Sequence, residues 1–418
     1  MGRLREVFTL ELRALVRSHA LTLLCAASVG WMLLLPHFLR GDGTAEGARE
    51  LYIRFSLGGV FLLTVVCLLA SATGSLARER AQKRLMLTLV RPVSAFAIVA
   101  GKALALVSAG GFVLGLACLV LACKTDLARP CDLALSPVLP SAREEAKLMY
   151  ASYMQDPQTP EAVRQAPRAA VLRLLERRAV DHFQSVRTNE TASWRFAIPA
   201  GTADGTPLGV RMRFTNQFEM RQDVFGEFQI GDCRRTVSNI TQAVVTVPLS
   251  RGRPGETLSF VNRGKSALML RPRRDIHLLV RADTFAGNLA RAYVEMVAIL
   301  ALVVAGGLFL SAGLGRPVAL FVAFMALALS EMSPSVIEQY PDELETDAVD
   351  RIGLVIARMV AEASQPLSAA TPLEALSQDE CIRRSEVARL VLTDALLLPL
   401  LLACASAFVL RRKPEDPV

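Results

Sequence analysis

The chain has 418 residues, is 52% hydrophobic and carries a formal net charge of +8, with a mean hydropathy of +0.37. Soluble globular domains use roughly 45–50% apolar residues, so the composition excludes an ordinary soluble protein and points to a polytopic membrane protein. Lys and Arg gather at the ends of apolar runs, which serves membrane orientation and argues against nucleic acid as a partner.

Residues Arg3 to Arg17 set Leu4, Phe8, Leu12 and Leu15 on one helical face, with Arg3, Arg5, Glu6, Arg13 and Arg17 elsewhere. This spacing predicts an amphipathic interfacial helix within residues 1–20 rather than a signal peptide, because a long apolar run follows with no small-residue cleavage site. The first apolar run, Leu21 to Leu39, is long enough to cross a bilayer core, which takes roughly 20 helical residues. A polar loop from Arg40 to Arg54 precedes a second run, Phe55 to Leu76. A basic stretch, 77–94, then separates it from a third run, Ala95 to Cys123, in which Gly111 and Gly115 form a GxxxG that permits close helix approach.

From Lys124 to Ala290 the composition becomes that of a soluble domain. Residues 141–186 read as helices cut by Pro157, Pro160 and Pro167. Residues 194–282 read as short strands: Trp194 to Ile198, Val210 to Phe218, Glu227 to Ile230, Ala243 to Leu249, Thr257 to Val261 and Ile276 to Val280. The fold class expected is six transmembrane helices with an α+β domain, its helices followed by a β-sandwich-like part. Apolar runs resume at Tyr293 to Leu314 and Val318 to Leu329. A mostly polar segment, 335–389, contains an amphipathic helix at Val349 to Ala363, and a last run, Leu390 to Leu410, ends in Arg411, Arg412 and Lys413.

Four short basic flanks set the orientation. They lie before the first run, between the second and third, at Arg316 between the fourth and fifth, and at 411–413. Placing all four in the cytoplasm puts both termini inside and residues 124–290 and 335–389 outside. Outside placement permits a disulfide among Cys131, Cys233 and Cys381. Cys131 with Cys233 is the pairing chosen, because both belong to one domain, with free thiols as the alternative. The four histidines are far apart and no CxxC occurs, so no metal site is expected.

Catalytic constellations do not emerge: there is no GxxxxGK[ST], HExxH or GxSxG. Gly101-Lys102 has neither the glycine loop nor the following hydroxyl of a phosphate cradle. Among ionisable residues in spans, Asp394 is the candidate for a transport path, followed by Pro399, which can open the helix backbone. Glu295 and Glu331 lie near run ends. The alternative for all three is solvation at the headgroup level. Asn189-Glu-Thr and Asn239-Ile-Thr match the glycosylation triplet, a weak pattern.

The order of residues from Ser75 to Lys102 resembles the permease subunits of the ABC-2 family of ATP-driven transporters. The resemblance rests on Arg78-Glu79-Arg80, Pro92-Val93-Ser94 and Gly101-Lys102, and on Glu11, Leu12, Arg13 and Arg17 ahead of the first span. It implies a six-helix subunit that pairs with a second permease, often as a homodimer, in the bacterial cytoplasmic membrane. The chain would then bind a separate cytoplasmic ATPase, with ATP and Mg in that partner and no cofactor of its own. The coupling segment would comprise Arg78, Glu79, Arg80, Lys83, Arg84, Leu87, Arg91 and Pro92. The large insert departs from short members of the family, and cargo does not follow from the motifs. The second reading is a membrane-anchored extracytoplasmic binding or scaffold protein whose working part is 124–290.

Overall fold

The computed structural model describes residues 2–39, 45–81, 94–339 with short breaks, and 370–412. In chain order the first helices are α1 (Gly2–Arg17), α2 (Ala20–Phe38), α3 (Ala45–Ala81) and α4 (Ala95–Lys124). Helix α3 starts well before the expected boundary at Phe55 and takes in much of the loop read as polar. Ala, Glu, Leu and Arg are good helix formers, and Tyr52 hydroxyl donates to the Met32 carbonyl at 3.2 Å, tying that first part to α2. Trp31 Nε1 donates to the Phe55 carbonyl at 3.0 Å across the same pair.

The chain then enters a separate compact unit over Pro130–Asp283. Its elements are β1 (Pro130–Leu135), α5 (Ala142–Gln155), α6 (Glu161–Arg164), α7 (Arg168–Val180), β2 (Gln184–Val186), β3 (Thr191–Arg195), β4 (Leu208–Arg213) and β5 (Asp223–Ile230). They continue with β6 (Cys233–Ile240), β7 (Val244–Leu249), β8 (Thr257–Asn262), β9 (Leu268–Leu270), α8 (Pro272–Asp275) and β10 (Ile276–Thr284). Two four-stranded sheets, ordered β1-β10-β4-β7 and β3-β8-β5-β6, contribute to one hydrophobic core, and β2 and β9 form a pair. Alternation drives this: Val210 and Met212 of β4 are buried and lie opposite Leu278 and Ile276 of β10. Phe214, Phe228 and Phe260 fill the core, with ring centroids 4.8 Å apart in successive pairs.

The described residues of 1–129, 284–336 and 370–412 form the other unit. It adds α9 (Phe285–Gly313), α10 (Arg316–Gln339), α11 (Ala370–Ser377), α12 (Arg384–Leu390), a π-helical turn (Val391–Leu397) and α13 (Leu398–Arg412). Five helical stretches are long and apolar enough to cross a membrane: Ala20–Phe38, Gly47–Glu79, Ala95–Lys124, Phe285–Gly313 and Arg384–Arg411. The run expected as a fifth span is helical, but its apolar stretch, Arg316–Ala328, is shorter than these. Large apolar side chains such as Leu62, Phe112, Leu119 and Phe321 are exposed on these helices, as a lipid solvent requires. The protein is thus a membrane-embedded helical protein with an additional β-rich unit. The amphipathic helix expected at Val349 to Ala363 lies outside the described residues.

At one end of the bundle, the turn after α11 is fastened by polar contacts. Buried Asn288 of α9 donates from Nδ2 to the Glu380 carbonyl at 2.7 Å and accepts from the Ile382 amide at 2.8 Å. Arg291 donates to the Ile382 carbonyl at 3.1 Å. Asp379, in the left-handed region at φ 57, takes Arg49 of α3 and, at 3.1 Å, Arg129. The expected pairing of Cys131 with Cys233 is not the one present: Cys131 and Cys381 are the disulfide-bonded cysteines, and Cys233 keeps its thiol. Membership of one domain does not bring two sulfurs within bonding reach.

Two measurements follow from the β-rich unit. Helix α5 opens on a capping box: Ser141 Oγ accepts from the Glu144 amide and the Glu144 carboxylate accepts from the Ser141 amide at 3.0 Å. That backbone hydrogen bond holds the Glu144 pKa below its ordinary value. Its contribution is therefore present above the usual carboxyl range and is lost as pH falls through the lowered value. Ser141→Ala should fray α5 by about 1 kcal/mol, read as faster amide exchange over 142–146. A Cβ on Gly226 would collide with the Phe260 ring, so Gly226→Ala should destabilise this unit by roughly 1–3 kcal/mol in a thermal unfolding scan.

Candidate functional site at the helix junction

Helix α4 is apolar around its circumference, yet Lys102 sits two turns into it and is only 3% exposed. Burying an ammonium without partners costs several kcal/mol, and here every donor direction is met. Lys102 Nζ lies 2.8 Å from Glu79 Oε1, 2.8 Å from Ser75 Oγ and 3.1 Å from Glu11 Oε2. Ser75 Oγ in turn lies 3.4 Å from Glu11 Oε1. Ser75 and Glu79 occupy one face of α3 at i and i+4, while Glu11 comes from α1.

The neighbouring glycine makes the approach of α1 feasible. A Cβ on Gly101 would stand 2.9 Å from Val7 Cβ and 3.3 Å from the Leu4 carbonyl, so any larger residue drives α1 away from α4. Gly101-Lys102 is therefore a packing-and-pairing dipeptide: the glycine admits α1 and the lysine bonds it. Ser94 caps α4 by accepting from the Ala97 amide at 3.2 Å.

Other polar contacts gather at the same end. The Ala77 amide donates to Ser311 Oγ of α9 at 3.0 Å, and a Cβ on Gly74 would lie 3.3 Å from Arg316 Nε. Gly313, closing α9, faces Val409 of α13, a few residues before Arg411. The basic flanks found in the sequence thus converge on one end of the bundle: α1, Arg78, Arg316 and the end of α13.

Of the residues expected to couple to a partner, Glu79 is drawn inward to Lys102, while Arg78 is exposed. The Arg80 side chain and Lys83, Arg84, Leu87, Arg91 and Pro92 lie outside the described residues. Glu11 and Lys102, noted only within motifs, prove to be the centre of the junction. Gly111 and Gly115 face α9: Tyr293 hydroxyl donates to the Gly111 carbonyl at 3.2 Å. Beyond it, Gly115, Cys118, Ala122, Ala286 and Ala290 line an open apolar groove of about 340 Å³.

Asp394 is buried and belongs to the π-helical turn. Glu295 is also buried rather than solvated. Among the described residues no group of three or more His, Cys, Asp and Glu side chains is arranged to hold a metal ion. No protein-family model, curated protein or solved structure matches the chain.

Because either carboxylate alone still partners Lys102, the single changes Glu11→Gln and Glu79→Gln should each be tolerated better than the pair. The double variant leaves a buried ammonium with neutral partners only. Its loss of stability should exceed the sum of the singles by roughly 0.5–3 kcal/mol in a double-mutant cycle measured by thermal unfolding.

Proposed function

We propose that this chain is the permease subunit of an ABC-2-type transporter, moving its cargo with energy from a separate cytoplasmic ATPase. The observation that carries this reading is the junction of Lys102 with Glu79, Glu11 and Ser75. It binds α1, α3 and α4 into one body at the end of the bundle from which the basic segment after Ala81 departs. Force applied to that segment by a partner would reach three helices at once, as rigid-body alternating access requires.

In this reading the junction end is cytoplasmic, as the converging basic flanks favour. Helix α10 serves as the fifth of six spans, and the β-rich unit is extracytoplasmic. Disulfide bonding of Cys131 and Cys381 supports an oxidising location for that side. Two permeases would assemble, as a homodimer or a mixed pair. A second reading, a membrane-anchored binding or scaffold protein, is favoured by one observation: the β-rich unit has a hydrophobic core of its own.

The two readings diverge on charge reversal. In membranes containing the chain and its P-loop ATPase partner, Arg80→Glu, Lys83→Glu and Arg84→Glu together should abolish stimulated ATP hydrolysis while membrane insertion is unchanged. Failure to co-purify any such ATPase sinks the transporter reading, and retention of function by the triple variant favours the scaffold.

A further inference from the structure

We propose that the outward face of α1 is a docking surface for anionic phospholipid headgroups, and that this contact presses α1 onto α4 and so keeps Glu11 on Lys102. The inference rests on the helical unit lying in a membrane and is independent of any ATPase.

The inner face of α1 is fully occupied. Val7 stands against Gly101, Glu11 bonds Lys102 and Leu15 packs on the apolar core of the bundle. Residues 7, 11 and 15 recur about one turn apart, so these contacts fix the rotation of the helix. The face turned away is thereby fixed as well. It carries Arg13 and Arg17, one turn apart, with Arg5 towards one side, and all three are exposed. Between and beside them lie two large apolar side chains, Leu10 at 65% exposure and Val16 at 49%.

Charge decides what can cover that face. Among the described residues, Arg5, Arg13 and Arg17 make no ion pair. The exposed carboxylate of α1 is Glu6, about two turns from Arg13, and the other, Glu11, is held by Lys102. The opposite end of the bundle differs: Asp379 takes Arg49 and Arg129, and Arg291 donates to the Ile382 carbonyl. Positive charge left without an internal partner on one face favours an anionic covering from outside.

Continuity with the first span identifies the covering. Helix α2 starts at Ala20, directly after His19, which turns the chain through the left-handed region at φ 53. Leu23, whose amide bonds the His19 carbonyl at 2.9 Å, is 68% exposed at the start of a stretch long and apolar enough to cross a membrane. A lipid whose chains cover Leu23 places its phosphate about one helical turn, roughly 5 Å, towards Arg17. Arg13 and Arg17, with Cβ atoms about 5–6 Å apart, then reach headgroup phosphates while Leu10 and Val16 lie at the acyl boundary. That is how a basic helix lies in the plane of an anionic leaflet. A polar protein surface would offer nothing to Leu10 and Val16.

The test is amide hydrogen exchange of the purified full-length protein in nanodiscs of phosphatidylcholine alone and of an equal mixture with phosphatidylglycerol. Exchange over residues 4–17 should slow by roughly three- to thirtyfold in the anionic discs, the range expected of two arginines at an anionic surface. Exchange over 257–262 of β8 should stay the same. The slowing should vanish when Arg13→Gln and Arg17→Gln are combined, and remain when Arg13→Lys and Arg17→Lys are combined. It should also remain in the pair Arg234→Gln and Arg235→Gln, which removes two exposed arginines of β6 and reads any diffuse effect of net charge. Equal α1 exchange of the wild type in both kinds of disc overturns the proposal whether or not any variant folds. So does slowing that the glutamine pair at 13 and 17 retains, or slowing that the β6 pair loses equally. The same slowing produced by inorganic phosphate in discs of phosphatidylcholine alone also overturns it, and assigns the arginines to a soluble anion.

Discussion

A single ammonium group inside an apolar helix bundle sets the terms for much of the membrane unit. Lys102 cannot be left without partners at 3% exposure, so α4 must keep Glu79 and Ser75 of α3 beside it and must hold Glu11 of α1 against its face. Apolar packing between helices is forgiving about rotation and translation, particularly in lipid, where no hydrophobic gradient separates protein from solvent. Charge-assisted hydrogen bonds of 2.8–3.1 Å are not. The junction therefore acts as a register mark: slippage of α1, α3 or α4 by one residue would strand the charge. The lysine is best understood as a device of specificity, with modest net stability, since the carboxylates are partly solvated while the ammonium is not.

The two ends of the bundle are built differently. At the junction end, ion pairing combines with glycines that admit neighbours, Gly101 for Val7 and Gly74 for Arg316. At the opposite end, Asn288 clamps the backbone of residues 380–382 with both halves of its amide, and Asp379 joins Arg49 and Arg129. Between them lies the apolar interior, broken by Asp394.

Much of this was legible from residue patterns, and the failures have physical causes. Apolar runs located five of the helices because lipid demands uniform apolarity over a known length. The start of α3 was placed too late because residues 45–54 are polar, and polarity says nothing of helicity once a neighbouring helix supplies contacts. Strands β3, β4, β5, β7, β8 and β10 overlap the segments read as strands, β4 through its alternation, whereas β1, β2, β6 and β9 were not read. The exposed, basic β6 and the three-residue β2 and β9 carry too little pattern. Lys102 was noticed as part of a motif, but its partner Glu11 is 91 positions away, and no local signal specifies such a meeting. The choice of Cys131 with Cys233 failed for the same reason.

The segment between α4 and α9 is long, yet its two roots are stitched together. The Phe285 amide bonds the Arg129 carbonyl at 2.7 Å, and the Ala286 amide bonds the Leu127 carbonyl at 3.2 Å. The closure of that large loop is thus settled within the helical unit, whatever lies between the roots. Loop-closure entropy grows only slowly with length, so lengthening the chain between these roots adds little to the cost of bringing them together. The two roots of the segment are held at one place on the helical unit by bonds of that unit's own backbone, so the ends of α4 and α9 keep their mutual register independently of the length of chain between them.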